Sequence, residues 1–281
     1  MSTHTVVMVT TSYPRFAGDT VGTFMEPIAQ GVAARGHAVH VVAPWHPSIT
    51  RPPREGDVRF HFFKYAPHPS LNVFGYAGGL RADTALRGAA WAAAPLAMAA
   101  GWRLARRVAR EQRATVMHGH WVIPGGAIAA YAAGGRPFVV SLHGSDVFVA
   151  EKHALVGRIA HQVFAQAGFV TACSADLRDR ALRLGARADR SEVVPYGVDT
   201  VRFAPLAARA DRDAARSALS VAPDEELVFA VGRLVRKKGF EYLIDAVARL
   251  APSRPRLVAV VAGAGDLDAE LRARAASRGV G

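Results

Sequence analysis

The segment from Leu227 to Leu250, LVFAVGRLVRKKGFEYLIDAVARL, limits the possible folds of this chain more than any other. Leu227, Val228, Phe229, Ala230 and Val231 form an unbroken apolar run, the pattern of a parallel strand buried on both faces. Gly232 ends it. Beyond a basic turn, Phe240, Leu243, Ile244, Val247 and Leu250 recur at spacings of three and four, which predicts a helix packed along one stripe. Strand, loop and helix in this order belong to an open parallel sheet, where ligands bind at the carboxyl ends of the strands. The loop carries Gly232, Arg233, Arg236, Lys237, Lys238 and Gly239. Glycines admit close backbone approach, and an Arg with a Lys beside a helix amino terminus suits a phosphate or diphosphate. A charge run alone reads as a solvated turn; the flanking glycines and the strand-to-helix junction favour the anion site.

With 281 residues, 51% of them hydrophobic, the chain has material for two cores. Its formal charge of +12 is compatible with nucleic acid, an anionic membrane or a phosphorylated ligand. The arginines, however, are scattered along helical stretches such as Arg103, Arg106, Arg107 and Arg110, in no nucleic-acid module pattern, and no nucleic-acid partner is expected. The single cysteine, Cys173, rules out an internal disulfide framework and reads as a structural thiol in a reducing compartment. Met1 to His4 lacks a cationic leader region, and the apolar stretch Gly88 to Trp102, broken by Pro95, falls short of a membrane span. These features place the chain in the cytoplasm, with peripheral contact at the inner membrane surface as a further expectation.

In chain order, Val6 to Thr10 reads as a strand and Phe24, Ile28 and Val32 as a helix stripe, with a glycine-bearing loop ending at Gly22 and Thr23 between them. Thr23 is the candidate helix cap. Ala38 to Ala43 closes a βαβ unit. Pro67 to Gly79, with Phe74 and Tyr76 expected at the surface, is either a plain connection or a lip for a second substrate. Leu80 to Arg113 reads as one or two helices. Thr115 to His118 is a strand leading into His118-Gly119-His120-Trp121, and Phe138 to Leu142 a strand ending in His143-Gly144-Ser145-Asp146. Three histidines at two strand ends raise a zinc site. The expectation that His118 and His120 point to opposite faces, with no supporting Cys or Glu set, argues against it, and no metal is expected. Asp146 either caps the next helix or touches substrate. Phe169 to Ala172 is a further strand, followed by a helix capped near Ser174. Thr200 to Glu226 reads as a connection plus a short helix, and Leu257 to Ala262 as a second buried strand before Gly263-Ala264-Gly265.

The run Gly232-Arg233-Leu234, then Lys238-Gly239 and an apolar helix, resembles the diphosphate-binding signature of the retaining glycosyltransferases of family four. The resemblance implies an α/β chain of GT-B architecture: two Rossmann-like doubly wound domains facing a cleft, the second incomplete here. Residues 1–200 would form the acceptor-side domain, and 201–281 the linker and first part of the nucleotide-sugar domain. It assigns Gly22, Gly232, Arg233 and Lys238 to the donor diphosphate, and His143 to the donor sugar near the reacting centre, as an orienting group more than a base. His120 is then a cleft-wall or structural residue. The Tyr196-Gly197-Val198-Asp199 turn resembles a family turn that normally begins Asn-Gly, with Tyr196 in the Asn position. The implied reaction is metal-independent and cofactor-free transfer of a sugar from a nucleotide-diphosphate sugar to a glycan, lipid or small molecule.

Members of that family are longer, and the part that would carry a pair of glutamates facing the donor has no counterpart here: Glu241 lies on the phosphate-loop helix and Glu270 comes too early in the order of elements. The chain is therefore expected to be a fragment of a longer enzyme or a truncated, inactive protein. A nucleotide-sugar epimerase and a non-catalytic nucleotide-sugar-binding protein are the rival readings.

Overall fold

A computed structural model describes the chain apart from residues 1–2, 73, 77–79, 82–84, 87 and 207. By its internal contacts the chain divides into two units, Met1–Gly197 and Val198–Gly281.

The first unit alternates strand and helix because its apolar runs alternate in length and period. Its elements in order are β1 (Thr5–Val9), α1 (Met25–Ala33), β2 (Ala38–Pro44), β3 (Arg54–Glu55), β4 (Val58–Phe63), β5 (Leu80–Arg81), β6 (Ala85–Leu86), α2 (Gly88–Glu111), β7 (Val116–His120), α3 (Ala127–Ala133), β8 (Phe138–Leu142), α4 (Ser145–Lys152), α5 (Ala154–Gln166), β9 (Phe169–Ala172), α6 (Ala175–Arg183) and β10 (Ser191–Val193). Eight strands make one sheet in the order β10-β9-β8-β7-β1-β2-β4-β3, parallel throughout except for β3 against β4. β1 is central, with Val6 opposite Val39 of β2 on one side and Val116 of β7 on the other. Strands covered on both faces must be apolar at every position, and Val7, Met8 and Val9 are fully buried. One face packs against α2, α3 and α5 through residues such as Val9, Val108, Ile128 and Phe164; the other packs against α1 through Met8, Met25 and Val41.

Three expectations change here. The segment from Leu80 begins as the antiparallel pair β5–β6 and becomes a single helix only from Gly88. Tyr76 is buried, because its hydroxyl donates to the Pro44 carbonyl at 2.7 Å; Gly78 and Gly79 lie outside the described residues. Thr23 does not cap α1: the helix begins after Phe24, without a side-chain cap, and backbone bonds from Met25 to Gly22 and from Glu26 to Thr23 close its first turn. Ser174, by contrast, does cap α6, accepting from the Leu177 N–H at 3.3 Å. Among the described residues no helix is long and apolar enough to cross a membrane.

The second unit contains α7 (Arg209–Ala218), β11 (Glu226–Val231), α8 (Phe240–Leu250), β12 (Leu257–Ala262) and α9 (Asp268–Ser277), with β11 and β12 parallel and in register from Glu226 opposite Leu257 to Val231 opposite Ala262. The strand, loop and helix read from the sequence are all present. The strand is not buried, however: Phe229 is 52% and Val231 74% exposed. Among the described residues its sheet is the β11–β12 pair, with a small core of Leu234, Phe240 and Leu271. Of the predicted stripe on α8, Leu250 at the helix end is exposed.

Candidate functional site

In the first unit the chain winds one way from β1 to β2 and the other way from β1 to β7, so the carboxyl ends of β1 and β7 flank the topological switch point where open α/β sheets bind ligands. Three loops leave the sheet there. After β1 runs the loop to Gly22, whose φ of 70° places it in the left-handed region and whose missing Cβ would lie 3.0 Å from the Ser12 hydroxyl. Arg15 and Asp19 brace this loop with a 2.6 Å ion pair, and the guanidinium holds the Asp19 carboxyl well below the usual carboxylate range. After β7 comes the wide turn Trp121–Gly126, in which Trp121 adopts φ 61°. A bulky side chain in that region is strained by about 1–3 kcal/mol. After β8, His143 and Gly144 lead into α4.

His143 stands at the centre. Its Nε2 is 3.1 Å from Nδ1 of His120, and its Nδ1 is in hydrogen-bonding contact with the Tyr196 hydroxyl. Its ring packs against Trp121 at 4.6 Å, Phe24 at 4.9 Å and Tyr196 at 5.8 Å between centroids. Behind it, His118 and His120 lie 4.1 Å apart, and His118 Nε2 bonds the Ser141 hydroxyl at 2.8 Å, which in turn meets the Thr171 hydroxyl at 2.6 Å. Burial penalises the imidazolium forms, taking His118 to about 4, His143 to about 3 and His120 well below its ordinary value. All three rings are therefore neutral at pH 7. The same desolvation raises the Tyr196 phenol and the Cys173 thiol.

Asp146 ties two of the loops together. Its carboxylate accepts from the Val122 N–H at 2.6 Å and the Gly144 N–H at 3.0 Å, while burial raises its pKa. Its bonds thus run to the β7 and β8 loops, and it acts as a brace instead of a plain helix cap.

In the second unit, β11 delivers Gly232 and Arg233 to its carboxyl end. A single tight turn, Arg236–Lys238, follows, closed by Gly239 at φ 69°, from which α8 starts. The Lys238 side chain folds back so that its Cδ lies 3.9 Å from the Cβ position at Gly232. The loop is held from below by the glycine turn after β12: Leu234 N–H bonds the Ala264 carbonyl at 2.9 Å, and a Cβ at Gly263 would overlap the Gly232 carbonyl oxygen. Arg233, Arg236 and Lys238 are exposed at the loop surface, and Arg236 pairs with Glu270 at 3.2 Å.

The five residues singled out from the sequence thus fall into two groups: Gly22 and His143 at the switch point of the first unit, and Gly232, Arg233 and Lys238 in one loop of the second. One geometric expectation is overturned. His118 and His120 share a face, because side chains two apart along a strand point the same way. Among the described residues, even so, no three His, Cys, Asp or Glu side chains are placed to hold a metal ion. Phe24 packs against the core with Ile28 and Val32, as its stripe predicts, and also meets His143; Tyr196, the departure at the Asn position, bonds His143, a contact that its own segment does not announce.

Residues 21–202 match the family described as Glycosyltransferase Family 4, and residues 211–281 match Glycosyl transferases group 1. The chain belongs to glycosyltransferase family 4. Among its relatives are a teichuronic acid biosynthesis glycosyltransferase, TuaC of Bacillus subtilis, described as putative, 31% identical over 54% of this chain and 38% of that one, and the glycogen synthase of Mycobacterium tuberculosis, 28% identical over 92% and 61%. The chain therefore spans less than two thirds of the length of these relatives. The crystal structure of Anabaena HepE in complex with UDP superposes with a TM-score of 0.71 at 20% identity, covering 98% of this chain and 66% of HepE. The fold is that of the GT-B glycosyltransferases.

Proposed function

We propose that this family member transfers a sugar from a nucleotide-diphosphate sugar to a glycan, lipid or small-molecule acceptor, with retention of anomeric configuration and without a metal ion. The observation that carries the reading is the second-unit loop, in which a guanidinium and an ammonium flank a glycine at a strand-to-helix junction. When the glycosidic bond breaks, negative charge develops on the departing diphosphate. Arg233 offers a planar fork to two of its oxygens, and Lys238 offers a point charge folded over Gly232. In this reading the two cationic side chains take the place of a divalent cation at the diphosphate. The complex of HepE with UDP supports a uridine diphosphate as the first ligand to try.

In the first unit, neutral His143 orients the sugar from the switch point, with Trp121 and Tyr196 as flat apolar surfaces beside it. Peripheral contact with an anionic inner membrane is the companion reading. Arg103, Arg106, Arg107 and Arg110 all project to solvent along α2, and such a stripe is attracted to acidic headgroups.

Calorimetric titration with UDP, GDP and ADP, repeated with Arg233→Ala, tests the donor site. Selective binding that weakens at least tenfold in the variant supports the reading, since loss of one charge-assisted contact is worth about 1.5–3 kcal/mol. Equal binding by variant and parent overturns it.

A further inference from the structure

The hydrogen bonds around His143 form a directed chain, and one buried atom fixes the direction. We propose that His120 is a positioning residue that holds His143 in a single neutral tautomer, with the proton on Nδ1, so that this ring edge presents a hydrogen-bond donor to a ligand oxygen. The consequence for the sugar rests on the reading of His143 given above; the tautomer itself does not.

His120 is fully buried and carries one ring proton. Its Nδ1 faces His143 Nε2 at 3.1 Å, whereas its Nε2 is buried with no hydrogen-bond partner among the described residues. Were the proton on Nε2, a buried N–H would be left unpaired. With the proton on Nδ1, the N–H is satisfied and only a lone pair is left bare. Buried N–H groups are rarely orphaned, and acceptor lone pairs are more often left unused. The Nδ1–H of His120 therefore donates to His143 Nε2. His143 then carries its own proton on Nδ1 and donates it to the Tyr196 oxygen.

The opposite polarity, from Tyr196 to His143 Nδ1 and from His143 Nε2–H to His120 Nδ1, makes the same number of bonds but strands the His120 Nε2–H. His118 does not alter the choice, since its Nε2 bonds Ser141 on a separate branch. Burial keeps the rings neutral, which is what gives the tautomer meaning. Tyr196 is 46% exposed, so a sugar hydroxyl or ring oxygen can take its place as acceptor from His143 Nδ1–H. A nitrogen that already holds a proton orients such an oxygen; it does not abstract a proton from it.

The test is long-range proton–nitrogen NMR of the nitrogen-15-labelled 281-residue chain at pH 7.5 without nucleotide. The expected spectrum has a pyrrole-type Nδ1 and a pyridine-type Nε2 for both His120 and His143, at a tautomer ratio of about tenfold or more. Tyr196→Phe removes the acceptor but leaves the direction in place, so the His143 ratio persists. His120→Asp turns the donor into an acceptor, and a proton appears on His143 Nε2. A parent spectrum with His143 protonated on Nε2, or a Tyr196→Phe spectrum in which the proton moves there, overturns the assignment, and neither result depends on whether His120→Asp folds. Because no nucleotide is present, a wrong tautomer leaves the diphosphate reading intact, and a failed UDP titration leaves the tautomer intact.

Discussion

Acid should unfold the first unit well before its carboxylates are protonated. His40, His118 and His143 have native pKa values of about 4, 4 and 3 against 6.5 when free, and burial is the first cause in each case. A group whose folded pKa is depressed contributes stability that is present above its unfolded pKa and is lost as pH falls toward the folded value. The relevant window therefore runs from about pH 6.5 down to about 4. At pH 5 each unfolded imidazole is protonated while its native counterpart is neutral, a loss of about 2 kcal/mol per residue. With a discount for the partial exposure of His118 and His143, the three together give about 4–6 kcal/mol, comparable with the entire stability of many domains. Asp19, held low by Arg15, still keeps its contribution at pH 5, because that is lost only below about 4. Asp146, raised by burial, has the opposite sign and can only offset the loss. All four tryptophans (Trp45, Trp91, Trp102 and Trp121) lie before residue 197, so their fluorescence during urea unfolding follows the first unit. The expected result is a fall of about 4–6 kcal/mol in unfolding free energy between pH 7.5 and pH 5. A fall below about 2 kcal/mol would mean that the native histidines take up protons freely and that their burial has been misjudged.

Asp146→Ala should destabilise the first unit by about 2–5 kcal/mol, since the Val122 and Gly144 N–H groups lose their acceptor in a buried setting; the urea midpoint reads this directly. Gly22→Ala should cost about 1–3 kcal/mol, combining a left-handed φ with crowding against Ser12, and an unchanged midpoint would show that the loop relaxes freely. Arg236→Ala should leave UDP affinity within about twofold, because the proposed diphosphate contacts are those of Arg233 and Lys238 and the surface pair Arg236–Glu270 is worth little; a tenfold loss would move the diphosphate contact along the loop.

The parts of this fold that were legible in the sequence are those where one local rule operates alone. Apolar runs, continuous in β11 and broken by one polar residue in β2 and β8, mark the strands, the three-and-four spacing marks α8, and Ser174 marks a helix start by chemistry that acts within one turn. The errors arise where partners distant in sequence decide the outcome. Tyr76 looked exposed because nothing in its own segment announces the Pro44 carbonyl that buries it. Thr23 has the right side chain for a cap, but the backbone of Gly22 closes that turn first. The exposure of β11 depends on what covers a sheet, which no strand encodes by itself. At the site, the glycines and cations were visible because their types are restrictive. Phe24 was not, since an aromatic at a helix start serves a core and a binding surface equally well.

The two groups of candidate site residues stand in opposite electrostatic environments. The loop after β11 keeps Arg233 and Lys238 in contact with solvent, where a cation has little desolvation penalty. Around His143 the imidazoles are largely desolvated, so they stay neutral and act through dipoles and a fixed hydrogen-bond direction. The strained Trp121 and the Asp146 brace belong to the same logic, since both hold the ring cage closed around His143 from the β7 turn. Stability is thus given up at pH values where the histidines would charge, while the ring cluster at the switch point stays neutral at pH 7.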